Sequence, residues 1–408
     1  MTQTPNRAKL VFDPFSEDFF NGAYETYRRM REEAPVYYSD EYDFYALTRH
    51  EDVAPAFKDF ETYSSAYGLD LAMVARKQLL TETAPKMIIM MDPPEHRHMR
   101  SLLNKVFTPR AIQAQQGMVT AKIEKYLSLL DPEGFDAVQE FSAPFPVEVI
   151  TTMLGVPEEQ AQQVRIWIDE SLHREVGQIE VGEKGMQANI ESAMFYFDLV
   201  QKRRAEPQSD LFSKLVEAEI EREDGSMERL DDLEIAAFAS LLGGAGAETV
   251  TKLVGNAIYM FAKNPDQWQK LLDDRSKIPA AVEELLRYEA PSQYNVRRNM
   301  RDVHLHGTTI PEGMPVFLIG GSANRDERAW TDADKFDIDR DRTEAQNLGL
   351  GYGIHSCLGA ALARMESAIA LEKLLDFMPR YEVDFDNCKR VQMQNVVGWH
   401  NVPVRVLR

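Results

Sequence analysis

The sequence predicts a mostly α protein with a small β region. Three observations carry that expectation: long stretches with apolar residues at helical spacing, one central apolar helix of about thirty residues, and short β signals confined to a few places. Of the 408 residues 44% are hydrophobic, and there is no Gly/Ser/Pro-rich linker, so a single domain over 1–408 is expected.

The elements follow in order. From Ser16 to Ala34 the residues Phe19, Phe20, Tyr24, Tyr27 and Met30 recur at helical spacing until Pro35 stops the run. "PVYYSDEYDFYALTR" then reads as a strand pair. Between Thr62 and Pro94 the chain is irregular, with Gly68, Pro85 and Pro93–Pro94, and connections of that length are usually functional. Amphipathic helices are expected from about 95 to 220, and "IEREDGSMERL" reads as a charged hairpin with Asp224–Gly225 at its turn. The stretch from Asp231 to the stop at Pro265 is one helix, about 45 Å long. Further β signals lie around 293–320 ("VHLHGTTIPEGMPVFLI") and 381–408 ("YEVDF", "VPVRVL"), with helices between.

Composition excludes several functions. The net charge of -20, from 46 Lys+Arg against 66 Asp+Glu, opposes binding to nucleic acid or anionic membrane over most of the surface. "MTQTPNRAKL" lacks the apolar core of a secretion signal, and no run of about 18 apolar residues is found, so a cytoplasmic protein is expected. Two cysteines, Cys357 and Cys388, are too few for a disulfide framework or a four-cysteine zinc site.

Gly243, Gly244 and Gly246 sit inside the long helix, where each costs about 1 kcal/mol relative to Ala. A phosphate loop is excluded, because Thr249 occupies the last glycine position of the fingerprint and no Gly-Lys-Ser/Thr follows. Tight helix packing and a large flat ligand both remain open. Phe238, Leu241, Leu242, Ala245 and Thr249 share one helical face, which is apolar, then small, then hydroxylated. Glu248 beside it is costly to bury unless paired or used, and Thr249 is placed to bond back to the Ala245 carbonyl.

"LGLGYGIHSCLGAALARMES" (348–367) sets Cys357 among Gly351, Gly353 and Gly359, just before a helix whose N-terminus favours a thiolate. Alone, a cysteine reads as a small buried hydrophobe. Zinc would need further ligands and only His355 is near, and a cysteine hydrolase lacks an obvious base. A haem iron needs one protein ligand on its proximal side.

"LGYGIHSCLGAALARME" resembles the haem-binding signature of the cytochrome P-450 family, F-G-x-G-x-H-x-C-x-G followed by L-A-R-x-E. "AGAET" (245–249), "EELLRYEAP", "ANRDERAWTDADKFDIDR", "DPPEHRHMR" and "FTPR" resemble bacterial members in order, so the likeness runs from about residue 10 to the C-terminus. It implies the P-450 fold, with haem b between the long central helix and the cysteine-loop helix. Cys357 would be the thiolate ligand. His96, Arg100, Arg297 and His355 would hold the propionates, and Ala245 and Gly351 would lie against the ring. Glu284, Arg287 and Arg340 would form a buried structural network, and Thr249 and Glu248 would relay protons. Two positions depart from the pattern: Leu350 stands where the family has Phe, and Val250 where many members have a second Thr. Cys388 matches no motif of the family.

The implied activity is oxygen insertion from O2 into an apolar organic substrate, with a peroxide-driven enzyme and a non-catalytic haem sensor as alternatives. Electrons would come from a separate ferredoxin and its NAD(P)H-dependent reductase. Arg97, Lys105, Arg110 and Arg364 are the candidate docking cations. The pocket would combine the 62–94 segment, the Phe238, Leu241 and Leu242 face, Asn295, Val296, Val396 and Val397, a lining that suits a terpenoid, steroid, fatty-acid-like or natural-product molecule. A monomer without nucleic-acid or membrane partners is expected.

Overall fold

The first helical stretch divides into α1 (Glu17–Phe20) and α2 (Tyr24–Glu33), because Gly22 between them takes φ 87°, a left-handed turn that no right-handed helix continues. The computed structural model describes residues 9–75, 87–221 and 225–408, without the side chains of Lys105, Val106 and Glu221. The expected strand pair is an antiparallel hairpin of β1 (Val36–Ser39) and β2 (Phe44–Leu47), followed by α3 (His50–Ala56). The segment read as irregular contains β3 (Tyr63–Ser64) and α4 (Leu71–Ala75), while Pro85 lies outside the described residues.

Between 95 and 220 the helices are α5 (Glu95–Val106), α6 (Pro109–Gln113), α7 (Gln116–Leu127), α8 (Pro144–Leu154), α9 (Ala161–Leu172), α10 (Glu183–Ala205) and α11 (Leu211–Glu217), with a short β4 (Phe135–Asp136) between α7 and α8. The charged hairpin pairs β5 (Glu219–Glu221) with β6 (Met227–Arg229). Gly225 takes φ 80° there, and Asp224 lies outside the described residues.

The long helix is α12 (Asp232–Lys263), 32 residues opened by a capping box between Asp231 and Glu234. It runs through the main core against α8 and α10. By length and composition α12 is apolar enough to cross a membrane, contrary to the expectation that no such run exists, yet half of its most apolar window is buried inside the protein. The glycine question resolves residue by residue. A Cβ on Gly243 would collide with the Tyr196 hydroxyl, and one on Gly246 would press at 3.1 Å on Ile150, so these two permit close packing of α10 and α8. A Cβ on Gly244 would meet nothing within 4 Å. That glycine borders open space.

Beyond α12 come α13 (Pro265–Asp273), α14 (Ile278–Tyr288), β7 (Asn295–Asn299), the β8 (Val303–Leu305) and β9 (Thr308–Ile310) hairpin, β10 (Pro315–Leu318) and α15 (Gly320–Ala323). The principal sheet has the order β1-β2-β10-β7-β3, with β10 parallel to β2 and antiparallel to β7. After the cysteine loop come α16 (Ala360–Phe377), which packs on α7, α12 and α14, then β11 (Tyr381–Val383), β12 (Lys389–Arg390), β13 (Trp399–Asn401) and β14 (Pro403–Val406).

Glu284, Arg287 and Arg340 form a buried network. Arg287 Nε and Nη2 each donate to a Glu284 carboxylate oxygen at 2.8 Å, while its Nη1 donates to the carbonyls of Asn324 (2.7 Å) and Ala333 (2.9 Å). Arg340 Nε reaches Glu284 at 3.3 Å, and the Asp337 N–H donates to the same carboxylate at 3.0 Å. Glu284→Ala strands two buried guanidinium groups and is expected to cost about 3–5 kcal/mol, read as a lower urea midpoint. Lys270→Ala breaks half-exposed contacts to Asp337 and Asp339 and is expected to cost less than about 1 kcal/mol. Equal losses would show that the network carries no special weight.

Candidate active site

The loop bearing Cys357 is fixed from both sides. At its start the Leu348 N–H donates to Asn324 Oδ1 at 2.8 Å and Asn347 Nδ2 donates to the Glu283 carbonyl at 2.9 Å. Gly349 lies so close to the Leu286 carbonyl that no side chain fits. Gly351 and Gly353 take φ 68° and 75°, and a Cβ on Gly353 would stand 2.6 Å from the Phe57 carbonyl. The Cys357 N–H donates to the Leu350 carbonyl at 2.8 Å, closing the loop. Leu350 itself is partly buried against the main core.

Cys357 is an exposed thiol, yet protein surrounds it so closely that burial is the main influence on it and pushes its pKa up. Together these place the sulfur on the wall of an internal space. The Gly359 N–H, Arg100 and Arg364 act in the opposite direction and favour the thiolate. The following helix begins at Ala360 instead of at the cysteine, and a Cβ on Gly359 would meet nothing within 4 Å.

Beside this loop four basic side chains converge. His96 and Arg100 lie one turn apart on α5, and Arg100 Nη2 donates to the Ser356 carbonyl at 2.8 Å. The rings of His96 and His355 are 4.4 Å apart, and His355 Nε2 lies 3.1 Å from Ser65 Oγ. Arg297, on β7, is 5% exposed and donates to its neighbour's carbonyl, Val296 O, at 3.0 Å. Burial pushes every one of these groups down, and neighbouring positive charges add to it at the two histidines: His96 to about 4, His355 to about 2, Arg297 to about 10, and Arg100 in the same direction. Asp92 opposes this at His96 and Arg297, but it is already engaged by Ser64 Oγ and the Ser65 N–H. His96 Nε2 is buried without a hydrogen-bond partner among the described residues. A cluster so short of negative charge is built for an anionic ligand, and the two carboxylates of a haem fit it. A cavity of about 340 Å³ adjoins the cluster, lined by His96, Arg97, Arg100, Asn104, Phe60 and Ile354 among others.

Around the central turns of α12 a strip is accessible: Leu241, Gly244, Gly246 and Thr249 in part, with Ala245 exposed. Thr249 Oγ1 donates to the Ala245 carbonyl at 2.8 Å, the back-bond expected from the sequence. Glu248 points elsewhere. It is 3% exposed, and its Oε1 lies 2.6 Å from Lys252 Nζ, one turn on. Burial pushes its carboxyl up to about 7; Asp169 adds to that shift, while Lys252 and Arg165 oppose it.

A cytochrome P450 family model matches residues 183–407. Cytochrome P450 123 of Mycobacterium tuberculosis is 42% identical over all of this chain and 99% of its own length. The structure of CYP109E1 from Bacillus megaterium in complex with testosterone is 31% identical with a TM-score of 0.85, covering 96% of this chain and 99% of that one. A mutant of P450 EryK in complex with erythromycin B is 32% identical with a TM-score of 0.85, covering 95% of this chain and 96% of that one. The chain belongs to the cytochrome P450 family.

As a P450, it is a monooxygenase of the family that binds haem iron through a cysteine thiolate. Several expected residues take other places. Val296 and Val397 are buried in the aromatic cluster of Phe12, Phe19, Phe44, Tyr294 and Phe317, so they leave the pocket lining. Strand alternation is the reason for Val296: on β7 it points away from the side that carries Asn295 and Arg297. Phe238 and Leu242 are buried in the main core, and Val396 packs with Leu172, Val391 and Met393. Leu241 and Asn295 remain partly accessible. Of the docking cations, Arg97 and Arg110 are exposed, Arg364 Nε is held by Glu283 at 2.5 Å, and the Lys105 side chain lies outside the described residues. Cys388 Sγ donates to the Asp384 carbonyl and takes no part in the site. Sequence reading missed Lys252, although its i,i+4 spacing from Glu248 was visible.

Removing the buried cation of β7 tests the fit to an anionic ligand. Arg297→Met is expected to weaken haem retention roughly tenfold or more, the scale of a lost charge-assisted hydrogen bond, with unchanged far-UV circular dichroism. Full retention of haem would remove Arg297 from the site.

Proposed function

We propose that the chain, as one haem domain over 1–408, is a cytoplasmic monomeric monooxygenase that inserts one oxygen atom of O2 into an apolar organic substrate. Electrons arrive from a separate ferredoxin and its NAD(P)H-dependent reductase. The observation that carries the reading is the thiol of Cys357, held in a glycine loop beside a basic cluster short of negative charge. When bound, the haem supplies the iron chemistry that takes two electrons singly and cleaves O2, one atom entering a C–H or C=C bond and the other leaving as water.

The protein's own residues supply position and protons. Cys357 gives the sulfur ligand, with the Gly359 N–H and Arg100 favouring its charged form. Arg100 and Arg297 would hold the carboxylates, His96, neutral at pH 7, would donate a hydrogen bond to them, and His355, also neutral and bonded to the Met91 backbone, would lie beside them. Ala245 and Gly351 leave room for the ring. On α12 the Thr249 hydroxyl is the proton-bearing group of the accessible strip, and Glu248 is the acid that replenishes it.

Leu241, Ala245 and Asn295 would meet the substrate. A terpenoid, steroid, fatty-acid-like or natural-product molecule suits this lining. Related structures hold testosterone and erythromycin B, which supports the steroid and natural-product classes. Exposed Arg97 and Arg110 supply the local positive patch that an acidic ferredoxin needs against a net charge of -20.

Three experiments test the reading. The reduced, CO-bound protein is expected to show the red-shifted Soret band of thiolate-ligated haem, lost in Cys357→Ala and kept in Cys388→Ala; persistence of the band without Cys357 would sink the assignment. In an assay reconstituted with ferredoxin and reductase, Thr249→Ala is expected to retain haem while product per NAD(P)H falls roughly tenfold, with peroxide in its place. Because the Glu248 carboxyl carries its proton below about pH 7, product per NAD(P)H is expected to decline as pH rises through about 7. Glu248→Gln should flatten that decline. A pH profile unchanged by Glu248→Gln would remove Glu248 from the path.

A further inference from the structure

Arg174 stands apart from the other buried arginines among the described residues. Arg31, Arg203, Arg287 and Arg325 each contact a carboxylate, and Arg297 belongs to the basic cluster of the haem site. Arg174, 1% exposed just beyond α9, contacts no carboxylate among the described residues. Its Nη1 donates to the Ser171 (3.0 Å) and His173 (2.8 Å) carbonyls, its Nη2 donates to the Gln394 side-chain oxygen at 3.2 Å, and its Nε is buried without a partner among the described residues. Elsewhere in the molecule the Nε and Nη2 edge grips both oxygens of an acid: Arg287 holds Glu284 by it at 2.8 Å twice, and Arg31 holds Glu327 at 3.3 and 3.0 Å. At Arg174 the same fork is half filled, and by a neutral amide. The Asp70 carboxylate favours its charged form without touching it.

The fork lies where three stretches of chain meet. The Arg174 N–H donates to the Gln392 carbonyl at 2.9 Å and the Gln394 N–H to the Leu172 carbonyl at 3.2 Å, so the α9–α10 connection is stitched to the C-terminal segment. Leu172 packs there with Val391, Met393 and Val396. The third stretch is the start of β7: the Tyr294 hydroxyl donates to the Gln394 carbonyl at 2.8 Å, and the next residue is the partly accessible Asn295, on the side of β7 that carries Arg297. An apolar seam beside the site thus encloses a cation whose fork lacks an anion. We propose that Arg174, with Gln394, binds the carboxylate of an amphipathic acid, a substrate with an apolar body and one charged end, and so determines specificity. This rests on the monooxygenase reading above and selects fatty-acid-like or acidic natural-product molecules over neutral steroids and terpenoids. The two carboxylate oxygens take Nε and Nη2, the Gln394 amide turns from acceptor to donor toward the same group, and the seam closes over it. Nη1 is already committed to two carbonyls, which suits the two oxygens of a carboxylate better than the three of a phosphate. The buried charge is then compensated, as it is at the other arginines.

The test titrates the haem-loaded protein with dodecanoic, abietic and deoxycholic acids and with the methyl ester of each, reading binding from the shift of the haem Soret band. At least one acid is expected to bind roughly tenfold or more tighter than its ester, the scale of a charge-assisted hydrogen bond. Arg174→Met should bring that pair to equal affinity by weakening the acid alone. Gln394→Glu supplies the missing carboxylate from within the protein, fills the fork without a ligand, and should likewise remove the preference. Because it adds a partner to a buried cation, it keeps the test open should Arg174→Met fail to fold. Esters that bind as tightly as their acids in all three pairs overturn the proposal, and so does failure of every acid to bind. A preference that survives either substitution also overturns it, as does an equal loss for acid and ester in Arg174→Met, which marks a purely structural arginine. The monooxygenase reading fails separately, if the thiolate Soret band of the CO complex persists in Cys357→Ala.

Discussion

The bidentate pair between Glu284 and Arg287 is the constraint on which the site depends. Both groups are almost fully enclosed, and two charges in such surroundings gain little net stability over an apolar pair of similar size. What the pair supplies is position. The remaining donors of Arg287 fix the carbonyls of Asn324, Ala333 and Lys335, and Asn324 in turn holds the Leu348 N–H while Asn347 bonds to the carbonyl of Glu283. The approach to the cysteine loop is thereby tied to α14 through backbone groups, where a shift of the helix would move the sulfur with it.

From that anchored loop the electrostatics follow. Several buried cations are paired with carboxylates, Arg31 with Glu327, Arg203 with Asp210 and Arg325 with Glu289, and Arg174 is held by the Ser171 and His173 carbonyls and Gln394. The cluster of His96, Arg100, Arg297 and His355 differs in gathering four basic groups around a single nearby carboxylate that serine groups already occupy. Uncompensated buried charge is costly, and a ligand that brings the missing charge offsets that cost. The same reasoning separates Arg364 from Arg97 and Arg110. Its guanidinium is already neutralised by Glu283, so it contributes less to an outward positive field than its place in the sequence implied.

How much of this was legible depends on the distance over which each feature is encoded. Cys357, its glycines and the Glu284–Arg287 spacing are local patterns, so they could be read directly. Helical faces were legible as periodicity, yet periodicity does not say which side of a helix meets neighbours and which meets open space. Phe238 and Leu242 share a face with Thr249 but are buried in the main core. Val296 was misplaced for a related reason: which side of β7 faces the aromatic cluster is set by its pairing with β10 and β3. Gly22 was overlooked inside an apolar repeat strong enough to mask a single left-handed residue.

The glycines of α12 show why neither of their two readings sufficed alone. Tight packing accounts for Gly243 and Gly246, which admit Tyr196 and Ile150, and leaves Gly244 unexplained. Open space accounts for Gly244 and Ala245, and leaves the other two unexplained. Close approach on one side and clearance on the other are the same demand made of one turn of helix. That turn must sit deep in the core and yet present a smooth wall. Thr249 then places a hydroxyl at the end of the wall with its proton held by Ala245, and the charges of Glu248 and Lys252 are kept on the packed flank. Reactive and structural groups are thus separated by about 100° of helix rotation between neighbouring residues, a separation that a strand or loop crossing the same core could not keep so rigidly.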